Sequence, residues 1–219
     1  VGNNNYLILS LYQKILAFHQ KDKEPTALID ADILRLQFAR TVSANEDKDS
    51  LYMNALMTRM NVHSTDSSMT LIAFAIAQEL VNQDKPEEAM QYCERAIKQF
   101  PNSHGAKNCE ALKAQILRKE LSVAVEKTLL PNAPFLSTIT SKNVQKLYFK
   151  IVKTDHKSEL FKKIRSYDDS ELPKDKLKKI LALTTVQSWE MTLPKSTDFR
   201  SHTVDIRSPA LPLGQYFLL

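Results

Sequence analysis

Histidine, cysteine and clustered acidic side chains are the residue types in this chain that could do chemistry, so their spacing comes first. The five histidines, His19, His63, His104, His156 and His202, stand far apart, mostly beside charged or small polar residues. A metal ligand or general base needs partners at a fixed short spacing or an orienting group beside it. No His-Glu-x-x-His, Cys-x-x-Cys or Gly-x-Ser-x-Gly segment occurs. The histidines therefore read as surface residues. Asp30-Ala31-Asp32 falls within a helical pattern, where residues two apart point to different faces. Asp168-Asp169-Ser170-Glu171 has the composition of a cation-binding loop, but a solvated turn is the better reading. No catalytic residue, metal or cofactor is expected, and the chain reads as no enzyme.

The basic residues are the other candidate for a functional surface. Lys162, Lys163, Arg165, Lys174, Lys176, Lys178 and Lys179 lie within one stretch. Nucleic-acid binding calls for arginines with exposed aromatics among them. Here lysine dominates and Asp168, Asp169, Glu171 and Asp175 are interleaved, the pattern of a solvated helical face. No nucleic-acid partner is expected.

Cys93 and Cys109 flank a Pro101-Asn102-Ser103 turn at nearly equal distances. In an antiparallel helical hairpin the two come level to within about one residue rise of 1.5 Å. Two readings stand side by side, a disulfide that staples the hairpin and a pair of small buried hydrophobes.

The elements that carry these residues change character near residue 120. From Tyr6 to about Lys119 the apolar positions recur at helical spacing, beginning with the stripe Leu7, Leu11, Ile15 and Phe18. Pro25 sits where a first-turn proline belongs, and Pro86-Glu87-Glu88 opens a helix with the acids its dipole favours. Six helices joined by short polar turns are expected, stacked as antiparallel pairs. One pair has a more specific spacing. Ala73, Ile76, Ala77 and Leu80, then Ala89, Cys93, Ala96 and Pro101, follow a tetratricopeptide repeat, with small residues where two helices cross closely. Ala73, Leu80 and Cys93 stand where that pattern has Trp, Tyr and Phe.

From Leu121 the period becomes two. Leu121 to Glu126 alternates as a half-buried strand. Phe135–Thr140, Val144–Thr154, Val186–Leu193, His202–Ile206 and Gln215–Leu219 follow, bounded by proline-rich turns. A helical insertion spans about residues 155–183. The expected architecture is two domains. Residues 1–120 form an all-α, tetratricopeptide-like hairpin array, and residues 121–219 an Ig- or fibronectin-like antiparallel β-sandwich. Charge changes with period: Val1 to Ala124 carries 14 Lys/Arg against 15 Asp/Glu, and the remainder is net basic within an overall +5. No apolar run is long enough to span a bilayer.

Three segments of the β half resemble the first macroglobulin-like domain of bacterial alpha-2-macroglobulin family proteins. They are Leu130-Pro131-Asn132-Ala133-Pro134-Phe135, the strand Val144-Gln145-Lys146-Leu147-Tyr148-Phe149-Lys150-Ile151, and Pro209-Ala210-Leu211-Pro212-Leu213-Gly214-Gln215-Tyr216. Trp189-Glu190-Met191-Thr192-Leu193-Pro194 also fits. The arrangement as a whole is similar to Bacteroides-type members, in which a helical region precedes the β domains. The resemblance implies a segment of a large periplasmic or extracellular protein that traps proteases. Its implied partners are neighbouring domains of that protein, proteases and envelope proteins. Such a compartment is oxidising enough for a Cys93–Cys109 bridge. The family's thioester motif, Cys-Gly-Glu-Gln, is missing: Cys93 precedes Glu94-Arg95 and Cys109 precedes Glu110-Ala111. A free-standing tetratricopeptide-type peptide-binding module with an accessory sandwich is the alternative expectation.

Overall fold

In the computed structural model, which describes residues 2–126, 128–165 and 173–219, the chain divides into two compact units. The first is Val1–Arg118 with Asp198–Arg200, and the second is Lys119–Thr197 with Ser201–Leu219.

The first unit is helical: α1 (Gly2–His19), α2 (Thr26–Val42), α3 (Lys48–Val62), α4 (Met69–Asn82), α5 (Pro86–Gln99) and α6 (His104–Leu117). Local chemistry sets the boundaries. Pro86 occupies the first turn of α5 with Glu87 and Glu88 beside the positive end of the helix dipole. The Ser103 hydroxyl caps α6 by accepting from the Ala106 N–H at 3.2 Å. Helix α4 is the central element, packing against α2, α3, α5 and α6. It is apolar nearly all round, as a helix covered on most sides must be. Ile72, Ala73, Ile76 and Ala77 of α4, with Ala89, Cys93 and Ala96 of α5, are wholly excluded from solvent. Each large aliphatic side chain so buried contributes about 1.5–3 kcal/mol. Gly105 allows α6 to approach α4 closely, because a Cβ there would lie 2.4 Å from the Thr70 carbonyl carbon.

The stripe on α1 is apolar but uncovered. Leu7, Leu11 and Phe18 are exposed, and among the described residues of α1 none belongs to the buried core. The helix rests chiefly on α2, where the Tyr12 and Phe38 rings meet at 6.2 Å.

The second unit contains two three-stranded antiparallel sheets. One has the order β1 (Glu120–Val125), β2 (Phe135–Lys142), β5 (His202–Ser208). The other is β4 (Thr185–Thr192), β3 (Lys146–Thr154), β6 (Gln215–Leu218). Their shared core joins Ile139 and Ile206 of the first sheet to Leu147 and Phe149 of the second. Phe149 stacks on Trp189 across β3 and β4, with centroids 4.8 Å apart and planes at 10°. A bulge at Ile151/Val152 lets two successive residues of β3 be buried. Between β3 and β4 lie α7 (Glu159–Arg165) and α8 (Pro173–Leu181), where the helical insertion was expected. Phe161 of α7 meets Phe217 of β6 at 5.8 Å.

Strand β1 departs from the half-buried expectation. Its alternation is real, since Val123 pairs with Ile139 and so shares the core-facing side of the sheet. Yet Leu121, Val123 and Val125 are exposed while Ile139 is wholly buried. Period two sets the face, but β1 is an edge strand and its inner face is uncovered.

Candidate functional site

Three helices place a polar cleft of about 460 Å³ on the first unit. Gln37, Arg40 and Thr41 come from successive turns at the end of α2, Lys48, Asp49 and Tyr52 from the start of α3, and Gln78, Glu79 and Asn82 from the end of α4. Arg40 is the hub. Its Nη1 and Nη2 donate to the two Glu79 carboxylate oxygens at 2.6 and 3.0 Å, and its Nε donates to Asp49 Oδ1 at 2.6 Å. The guanidinium also lies 5.1 Å from the Tyr52 ring centroid. The hydrogen bond to Glu79 dominates in holding Arg40 protonated above its ordinary range, against partial desolvation. Burial pushes the Tyr52 hydroxyl up, opposed by its hydrogen bond with Gln37.

This geometry limits the chemistry. Glu79 is almost fully buried and also accepts from Gln83 Nε2 at 2.9 Å, so its carboxylate is engaged and is not free to act as a base. All three guanidinium nitrogens face carboxylates, so Arg40 is no anion receptor. Gln78 and Asn82, four residues apart on α4, and Lys48 on α3 supply the remaining polar lining. Among the described residues no hydrogen bond engages those three side chains. A side-chain amide offers both a donor and an acceptor, which matches a peptide group.

A second charged cluster is structural. The Asp32 carboxylate, 4% exposed, receives Arg35 Nε at 2.8 Å and Arg59 Nε at 2.7 Å. Asp30 is exposed on another face, so the two aspartates do not converge.

His63, Asp66 and Ser68 are the types of a hydrolytic triad in the wrong order. In a triad the imidazole stands between carboxylate and hydroxyl. Here Asp66 stands between, taking the Ser68 hydroxyl and backbone N–H on one oxygen and His63 Nδ1 at 3.0 Å on the other. Ser68 is buried at the start of α4, so the group orders a helix entry. Burial alone would raise the Asp66 carboxyl, but the bonds from Ser68 and His63 hold it below the usual range.

Cys93 and Cys109 do meet. Each is wholly buried, one on α5 and one on α6, and each thiol perturbs the titration of the other. Both are free, so the disulfide reading is not realised in this structure. Interaction with Cys109 lowers the Cys93 thiol, and interaction with Cys93 together with burial raises Cys109.

The other histidines take local partners: His19 bonds Asp22 at 2.7 Å, His104 lies 3.4 Å from Asn108, His156 pairs with Asp155 at 3.2 Å, and His202 bonds Ser196 at 3.0 Å. Lys162, Lys174, Lys178 and Lys179 are exposed. Lys178 lies 3.8 Å from Asp175. The acidic run 168–171 and the side chains of Lys163 and Arg165 lie outside the described residues. Among the described residues no group of three or more metal-ligating side chains converges, and no helix is long and apolar enough to cross a membrane.

Sequence reasoning missed the Arg40–Glu79 pair, whose members are 39 residues apart. One signal was present: Glu79 sits between Ile76 and Leu80 in the apolar pattern of α4, and a buried acid there must find a cation.

Comparison with protein-family models, curated proteins and solved structures finds no match to this chain.

Proposed function

We propose that the chain is a non-catalytic interaction segment of a large cell-envelope alpha-2-macroglobulin-like protein. In this reading tetratricopeptide-like hairpins dock a partner or neighbouring domain, and a macroglobulin-like β-sandwich forms one link of a domain chain. Protease trapping belongs to the whole protein. One observation carries the reading. The entry segment, Leu130 to Phe135, and the closing segment, Leu211 to Tyr216, converge on one small cavity, and the Asn132 N–H donates to the Leu211 carbonyl at 2.7 Å. Two of the segments that carry the resemblance are thus one structural unit, locked by a backbone bond. Asn132 takes the left-handed conformation this turn requires, with φ 61°.

The intact gene tests it. Further strand repeats and a Cys-Gly-Glu-Gln segment after Leu219 are the expected result. A stop codon directly after Leu219 would overturn the reading.

The amide-lined cleft favours a second reading, a free-standing peptide-binding module. A peptide library screened against the chain and against its Gln78→Ala, Asn82→Ala double variant tests it. Peptides that bind the parent and lose at least tenfold in affinity on the variant, about 1.4 kcal/mol, would support this reading. Equal binding to both would sink it.

A further inference from the structure

Helix α8 mixes two kinds of exposed side chain on one face. Its nine residues hold Lys174, Lys176, Lys178 and Lys179 against Asp175. Ile180 is buried and seats the helix on the second unit. Leu177 and Leu181, four residues apart and so neighbours on the helix surface, are 45% and 42% exposed. Lys174 and Lys178 each stand three residues before one of these leucines and are exposed beside them. A solvated helical face accounts for the lysines. It does not account for a pair of leucines set among them.

The neighbouring strand continues the charge. Lys150 Nζ donates to the Leu181 carbonyl at 3.0 Å, which ties the end of α8 to β3. Leu147 and Phe149 of β3 face the core, so Lys146, Tyr148 and Lys150 share the opposite side. Tyr148 is 70% exposed, with Lys146 Nζ 5.1 Å from its ring centroid. Glu190 lies 2.8 Å from Lys146, and Asp175 3.8 Å from Lys178. Among the described residues, Lys146, Lys150, Lys174, Lys178 and Lys179 outnumber these two carboxylates.

We infer that α8 docks the second unit on the surface of an anionic lipid bilayer. Leu177 and Leu181 enter the headgroup region, and Lys174 and Lys178 lie among its phosphates. The excess of positive charge calls for an anionic partner, and the leucines decide which. A nucleic acid or an acidic polysaccharide gains nothing from exposed aliphatic side chains. Protein interfaces favour arginine and are depleted in lysine. A bilayer surface takes both residue types, leucines at the acyl boundary and lysines whose long stems reach the headgroups. Docking of this kind needs no membrane-spanning helix, and the inference stands independently of the segment reading above.

Flotation of the 219-residue chain with lipid vesicles tests it. One set is phosphatidylcholine alone, and the other contains about a third phosphatidylglycerol. Binding to the anionic set is expected to be at least about tenfold tighter and to weaken as salt is added. Lys174→Gln with Lys178→Gln is expected to lose about 25-fold in affinity, roughly fivefold for each lysine. Leu177→Gln with Leu181→Gln is expected to lose about tenfold or more. All four side chains are exposed, so thermal melting of both variants is expected to match the parent. Equal binding to both vesicle sets, or anionic binding that the lysine variant keeps, overturns the inference. Anionic binding that the leucine variant keeps assigns the face to a soluble polyanion and overturns it too. So does tighter binding to a single-stranded oligonucleotide than to the anionic vesicles.

Discussion

Arg40 of α2 and Glu79 of α4 form a two-pronged ion pair, with nitrogens at 2.6 and 3.0 Å from the two oxygens of a carboxylate that is 4% exposed. Glu79 interrupts an otherwise apolar helix, and Arg40 ties the end of α2 to it. Arg40→Ala leaves a buried carboxylate with Gln83 as its remaining partner. The expected cost is about 3 kcal/mol, because removing one member strands the other. Urea unfolding followed by helical circular dichroism measures it. A loss below about 1 kcal/mol, the worth of a surface pair, would show that Glu79 is reached by water.

Asp66 makes part of the stability pH-dependent. Its carboxyl is held below the usual range in the folded state, so its contribution is fully present above the unfolded value of about 3.9. It is lost as pH falls through the lower folded value. Asp66→Asn is therefore expected to be less stable than the parent at pH 7, with the difference closing below about pH 4. A constant difference between pH 7 and pH 3 would assign the effect to the cap geometry alone.

Gly105→Ala tests the closeness of α4 and α6. The added methyl would meet the Thr70 backbone at 2.4 Å, and backbone cannot swing aside as a side chain can. About 1–3 kcal/mol of destabilisation is expected. Helix propensity alone predicts the opposite sign, a gain of up to about 1 kcal/mol. The sign of the change decides between them.

The buried thiols give a redox prediction. Under reducing conditions Cys93 and Cys109 are expected to react with a thiol reagent only when the helical unit opens, because both are wholly buried. Refolding with oxidised and reduced glutathione is expected to join them by exchange, with loss of two hydrogens by mass spectrometry. Closing a loop of about 15 residues adds about 3 kcal/mol in the chain-entropy account. Mixed disulfides with glutathione as the stable product would show that the hairpin does not hold the sulfurs in bonding reach.

Much of the fold was legible in the sequence because the hydrophobic period changes from helical to two within a few residues. Helix α6 ends at Leu117 and β1 begins at Glu120. The levelling of Cys93 with Cys109 was legible too, since an antiparallel hairpin fixes which positions coincide. Coverage was not legible. Leu11 and Val123 lie on apolar faces as expected, yet both are exposed. Periodicity reports which side of an element is apolar, whereas burial depends on whether another element reaches it. The cleft was hidden for a related reason: Arg40, Asp49 and Glu79 have no shared local spacing and meet through the stacking of α2, α3 and α4.

The central proposal, an interaction segment of a protease-trapping protein, is tested most directly by incubating the intact protein with an endoprotease. Hydrolysis of a large protein substrate and of a small chromogenic peptide is then measured. Entrapment predicts that cleavage of the large substrate falls while peptide hydrolysis continues, since a caged enzyme is shielded by size and keeps its active site. Undiminished cleavage of both substrates would contradict the account.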